Sequence, residues 1–170
     1  MTRGLAVGLL LLLVLLVWAG MLAGWRRRAA RQTSALDLPP LPPTPVEPGA
    51  PLTADVDGVY VSTTTAGNWL DRLTAHGLGS RSAATMAVTG AGVSWLREGA
   101  PDVFAAAPTL VGARRADGIA GKVMPPGGIV VVTWRLGGTE LDTGFRPGSA
   151  TDADRLVAAV ERLAHAGSAS

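Results

Sequence analysis

Cysteine is absent from the 170 residues, so neither a disulfide nor a thiolate metal site can form. Histidine is scarce. Only His76 and His165 occur, and zinc and iron centres lean on Cys and His, so no metal is expected. Lysine occurs once, at Lys122, against fourteen arginines. With abundant Ala and Gly, this reads as the codon bias of a GC-rich genome. A positive excess is also missing from the C-terminal part. The chain carries +2, but from Thr53 onward ten basic minus eleven acidic side chains leave −1. The basic excess sits near the N-terminus, so the sequence pI of about 9.9 does not argue for nucleic acid as a partner.

What is present begins with an uncharged stretch. Gly4 to Trp25 holds no charge and includes Leu9 to Val17 as one unbroken Leu/Val run. A bilayer core of about 30 Å takes roughly 20 apolar residues in a helix, so these residues are expected to form a transmembrane anchor, span about 4–25. A cleaved signal peptide is the rival reading. Against it, the stretch exceeds the usual h-region, and Ala19-Gly20-Met21 and Leu22-Ala23-Gly24 are poor cleavage sites. Arg26, Arg27, Arg28 and Arg31 follow at once. Positive flanks stay cytoplasmic, so the expected localisation is a cell membrane, single-pass, with the C-terminal domain cytoplasmic. Gly4-x-x-x-Gly8 and Gly20-x-x-x-Gly24 fit the small-residue pattern of packed transmembrane helices, which makes a weak homodimer a candidate.

Composition then changes. Seven of the twelve prolines fall between Thr33 and Asp57. With no aromatic residue to bury, residues 32–57 are expected to form an extended, polyproline-like linker. Pro40-x-x-Pro43 also matches a PxxP ligand pattern, although a stiff tether accounts for it.

The folded domain is expected over 58–166, with a tail at 167–170. Val59 to Thr64, Ser82 to Val88, Val93 to Arg97, Thr109 to Arg114, Ile129 to Arg135 and Glu140 to Arg146 read as strands. Asn68 to Leu78 fits a helical turn or an irregular strand. Thr151-x-x-Asp154 resembles a capping box. Leu156, Val157, Val160, Leu163 and Ala164 then recur at helical spacing. The expected fold class is an N-terminal transmembrane helix plus an α+β, mainly β domain. Its six or seven antiparallel strands form a partly open barrel with a C-terminal capping helix.

A strand-rich chain closed by one helix is the layout of pleckstrin-homology (PH)-like domains. Gly58 to Thr64, Leu70-Asp71-Arg72-Leu73, His76-Gly77-Leu78-Gly79-x-Arg81 and Asp142-Thr143-Gly144-Phe145-Arg146 resemble segments of a family of actinobacterial membrane proteins. That family has one N-terminal span and a bacterial PH-like domain. It is often encoded among pyrimidine-biosynthesis genes, and some members carry the label transporter or export protein. A single span cannot form an ordinary transport pathway alone. The resemblance implies a fold and a location, and no catalytic residues.

Motifs for chemistry are weak. Gly118-Ile119-Ala120-Gly121-Lys122-Val123 lacks the first glycine and the Ser or Thr of a P-loop. Gly90-x-Gly92 lacks a third glycine, since Trp95 stands there. His76 with Asp71 and Ser62, Ser80 or Ser82 has no G-x-S-x-G elbow to support a triad. Glu140 and Asp142 read as a solvated strand face. Arg81, Arg97, Arg135 and Arg146 read likewise.

The expectation is therefore a non-enzymatic, membrane-tethered PH-like interaction module, without a cofactor. Its partners would be the bilayer and a protein or peptide at the inner face of the membrane. One alternative is an anionic lipid-headgroup sensor, with Arg114, Arg115 and Lys122 as candidate contacts. Another is an accessory subunit of a membrane transporter.

Overall fold

The computed structural model describes residues 10–24, 38–47, 49–68, 70–119, 122–123 and 128–168. Residues 10–24 form helix α1. Among the described residues no helix is long and apolar enough to cross a membrane. The expected span ran from 4 to 25, and its residues 4–9 and 25 lie outside the described set, as do Arg26, Arg27, Arg28 and Arg31.

Nine strands follow: β1 (Val56–Thr65), β2 (Ser82–Thr89), β3 (Gly92–Arg97), β4 (Val103–Ala106), β5 (Leu110–Ala116), β6 (Gly118–Ile119), β7 (Lys122–Val123), β8 (Ile129–Leu136) and β9 (Thr139–Pro147). Helix α2 (Ala150–Ser168) ends the described chain. Seven strands make one antiparallel sheet in the order β4-β3-β2-β1-β9-β8-β5. The sheet does not close, because β4 and β5 do not pair. The expected strand number, antiparallel order and final helix agree with this.

Alternation decides which side chains meet. In β2 and β3, Ala84, Met86, Val88, Val93 and Trp95 face one core. In β8 and β9, Val130, Val132, Trp134, Leu141 and Phe145 join them, as a period of two requires. Helix α2 adds Ala153, Leu156, Ala159, Val160, Leu163 and Ala164, the stripe expected from its helical spacing. It packs chiefly on β5 and on the 3-10 turn Ala107–Thr109, and also reaches β2, β8 and β9. The helix thus lies over the open side of the curled sheet.

Two expectations need correction. The Pro-rich segment is not a free spacer from 32 to 57. Leu38 is only 4% exposed and belongs to the main core, and Leu41 packs against it. Backbone bonds then tie the chain to the β2–β3 turn: Leu52 N donates to Val88 O at 2.9 Å, and Gly90 N donates to Ala50 O at 3.2 Å. The folded unit therefore includes the chain from Leu38 onward. Aliphatic leucines placed between prolines supplied the apolar area that the aromatic count did not. Secondly, the start of α2 is capped by Ser149, not Thr151. The Asp152 N–H donates to Ser149 Oγ at 3.1 Å, and Ser149 Oγ donates back to the Asp152 carboxylate at 2.6 Å. The run that failed as a P-loop contributes β6 and β7, which pair antiparallel. Ile119 packs with Val61, Ile129 and Val131 in a small second core on the outer face of the sheet. Val61 reaches that face by ordinary alternation, since Tyr60 before it points into the main core; it is the unpaired residue where the β1–β9 register shifts between Tyr60 and Ser62.

The hairpin needs close approach at Gly144, where a Cβ would stand 2.7 Å from Ile119 Cγ2. Gly144→Ala is expected to destabilise the full chain by about 1–3 kcal/mol through overpacking. Because the two sites touch, Gly144→Ala with Ile119→Ala should cost less than the sum of the single changes, by roughly 0.5–3 kcal/mol. Urea unfolding in detergent, read by tryptophan fluorescence, measures both. Additive losses would mean that the hairpin does not press on Gly144.

Candidate functional site

The three basic residues expected to form a patch do not share a surface. Arg114 and Arg115 are consecutive in β5, so their side chains leave opposite faces of the sheet. Arg114 bonds Asp142 at 2.8 Å on the outer face. Arg115 bonds Asp154 of α2 at 2.8 Å. Lys122 lies in the β6–β7 hairpin. Asp142 is not solvated as its strand face suggested. It is buried, and it accepts from Thr133 Oγ1 at 2.6 Å as well as from Arg114. Glu140 is exposed and pairs with Arg135.

The structure instead gathers polar groups under the long β1–β2 connection. β2 leaves β1 after Tyr60, so the far half of β1 pairs with this connection. Leu73 N donates to Thr63 O at 3.0 Å, and Thr63 N donates to Leu78 O at 2.9 Å. Leu73 and Leu78 are fully buried, and with the Thr64–Arg72 bridge their backbone bonds make part of this stretch an irregular strand beside β1. Its only helical part is the 3-10 turn Ala75–Gly77, and Trp69 lies outside the described residues.

Arg97 holds the connection in place. Alternation along β3 sends it to the same side as Val93 and Trp95, and it is only 7% exposed. Its guanidinium donates to Gly77 O (3.2 Å), Pro101 O (3.1 Å), Ser80 O (2.5 Å) and Ser82 Oγ (3.1 Å). It also stacks 4.0 Å from the centroid of the Tyr60 ring. Burial lowers the Arg97 pKa, while Tyr60 and Asp102 act to raise it. Tyr60 starts a buried chain of polar groups. Its hydroxyl donates to Leu78 O and lies 2.6 Å from Thr63 Oγ1. Thr63 meets Thr143 Oγ1 at 2.8 Å, and Trp134 Nε1 donates to that same Thr143 oxygen at 2.9 Å.

The groups considered for a triad are engaged elsewhere. Asp71 accepts from Thr65 Oγ1, and Ser82 accepts from Arg97. Among the described residues His76 Nε2 has no hydrogen-bond partner, and His76 itself holds a left-handed φ of 51°. Beside this turn, Arg72, Thr74, Gly79, Ser80 and Arg81 line a cavity of about 340 Å³. Arg81 is exposed at its rim.

A second surface follows the outer edge of β5. Glu161 of α2 accepts the Ala113 N–H at 2.6 Å, closing the middle of that edge. Next to it, a register shift between Leu110 and Gly112 turns Val111 outward, 42% exposed. Leu110, Val111, Arg135, Ala164 and His165 line a groove of about 230 Å³ there.

An antiparallel sheet of this order with one helix across its open side agrees with a sequence match to the model described as bacterial PH domain-like, which covers residues 38–161. The chain belongs to the bacterial PH domain-like family. The match begins at Leu38, a buried core residue. Among solved structures, a chain of "The 8S snRNP Assembly Intermediate" is similar over 74% of this chain and 89% of its own, at 9% identity and a TM-score of 0.48. No curated protein matches. Within this PH-like domain, sequence reasoning missed Arg97 and Asp142. Arg97 could have been found by parity with Val93 and Trp95. Asp142 needed the topology that sets it opposite Thr133.

Tyr60 is the only tyrosine, so tyrosinate absorbance reports on it alone. Burial raises its pKa from 10.0 to about 12, against the lowering effects of Thr63 and Arg97. The folded state prefers the neutral phenol. That preference is fully present below pH 10 and is lost as pH climbs toward 12, at up to about 1.4 kcal/mol per pH unit. The folded chain should titrate near pH 12 and the urea-unfolded chain near 10. A folded midpoint near 10 would show that solvent reaches the hydroxyl.

Proposed function

We propose that this chain is a membrane-tethered PH-like interaction module, without catalytic activity, that binds a protein or peptide at the inner face of the membrane. The observation that carries the binding role is the open sheet. Its two edge strands, β4 and β5, gain no further strand among the described residues. The β5 edge also carries an outward apolar residue, Val111, over the groove against α2. An edge with an adjacent apolar groove suits an extended peptide segment, which takes main-chain bonds from the edge and side-chain contacts from the groove.

Two features support the tether. The apolar side chains of α1 are exposed all round, from 48% at Leu22 to 70% at Met21. A helix that is apolar on every side calls for an apolar environment, and the stretch 4–25, of which α1 is the described part, is long enough to find it in a bilayer. Arg26, Arg27, Arg28 and Arg31 favour a cytoplasmic domain. Since the folded unit includes Leu38, the reach from the membrane is at most that of residues 25–37, about 3.5 Å each.

A second reading, an anionic lipid-headgroup reader, is favoured by the cavity between Arg72 and Arg81 rather than by Arg114, Arg115 and Lys122. The two readings separate cleanly. Affinity capture of the full chain from detergent-solubilised native membranes should recover a protein partner, and Val111→Glu should lose it. Arg81→Glu should leave it in place. Recovery of the bait alone from wild type and both variants would overturn the protein-binding reading. Loss of short-chain anionic lipid binding on Arg81→Glu would support the second.

A further inference from the structure

The segment entering the domain has a burial pattern of its own. Leu38 is buried, Pro39 half-buried and Pro40 exposed; Leu41 and Pro42 are half-buried and Pro43 exposed; Thr44 and Pro45 are half-buried and Val46 exposed. The period is three. Every residue from Leu38 to Pro45 is a proline or directly precedes one. Proline fixes φ near −65°, and the residue before it is pushed to extended conformations. Those two restrictions produce a polyproline II helix, which has three residues per turn. Two of its three faces, Leu38/Leu41/Thr44 and Pro39/Pro42/Pro45, therefore lie toward the domain. The third, Pro40/Pro43/Val46, faces solvent.

The segment is held differently from a strand. Leu38 sits in the main core and Leu41 packs against it, but backbone bonds to the domain begin only at Ala50 and Leu52 among the described residues. Between the docked part and that anchor, Val46 is 98% exposed, Glu47 is exposed and Gly49 takes a left-handed φ of 80°. Side-chain docking of a stiff, pre-formed helix is how proline-rich ligands bind their grooves, at low cost in conformational entropy.

We propose that the surface beneath residues 38–45 is a polyproline II binding site, filled in cis by the chain's own segment. The ligand class is a proline-rich peptide with leucine at every third position, as in Leu38-Pro39-Pro40-Leu41. The short link through 46–49 gives the cis segment an effective concentration of the order of millimolar, so a ligand in trans competes only once that link is cut or the segment is pulled away. This deepens the interaction-module reading by naming a ligand class, and rests on it only in treating the domain as a binding scaffold.

The test keeps the full chain in detergent, with a site-specific protease sequence inserted after Glu47. After cleavage, a fluorescent peptide of residues 36–47 should displace the N-terminal fragment with saturable binding. Tryptophan fluorescence of the domain should stay native. The same peptide carrying Leu38→Asp should bind roughly tenfold or more weakly, the loss expected for one buried leucine. A fragment that never exchanges, a domain that unfolds when the fragment leaves, or equal binding of the two peptides would each overturn the site. No partner protein enters this measurement, so it can fail while the capture experiment succeeds, and the reverse.

Discussion

A buried guanidinium organises the part of the molecule that departs most from a plain sheet. Among the described residues no carboxylate side chain bonds the Arg97 guanidinium; its donors go to three main-chain carbonyls and to Ser82 Oγ. Burying a charge is costly unless its donors are satisfied. Here the carbonyls of Gly77 and Ser80 come from the β1–β2 connection, and that of Pro101 from the β3–β4 turn. The same residue's main-chain N–H donates to Asp102. One side chain therefore sets where two loops stand. It also places the Tyr60 ring, from which the line of Thr63, Thr143 and Trp134 crosses the sheet from β1 through β9 to β8. A lysine could not substitute, since a point charge with three donors cannot reach four acceptors arranged around a planar fork.

The same logic runs through the surface charges. Arg114, Arg115 and Arg135 are each bonded to a carboxylate from another strand or from α2. The two more exposed pairs, Arg115–Asp154 and Arg135–Glu140, stabilise weakly. All three pairs neutralise basic side chains of β5 and β8. Apolar features set the character of the remaining surface: Val111 beside the α2 groove, and the docked proline segment with its outward ridge.

Much of this was legible in the residues. The hairpin of β8 and β9, the turn between β2 and β3, and the stripe of α2 follow from periods of two and 3.6 and from glycine placement. The Ser149-x-x-Asp152 cap obeys the same rule as the Thr151-x-x-Asp154 pattern two residues later. Propensity alone does not choose between them; helix packing on β5 does, and it frees Asp154 to meet Arg115. The proline segment was misread for a different reason. Proline content bears on local backbone shape but says nothing about whether Leu38 and Leu41 would find a surface.

Sequence alone determined what depends on neighbours along the chain: strand and helix periods, a restricted φ at each proline, an uncharged N-terminal stretch, and the exclusion of thiol chemistry. Tertiary structure decided what depends on residues distant in sequence. It paired Arg114 with Asp142 and Arg115 with Asp154, enclosed Arg97 in carbonyls from two loops, and laid the Pro-rich segment against the core. The physical reason is that local sterics act within a few residues, whereas burial and charge pairing are fixed only when the sheet order brings remote strands side by side.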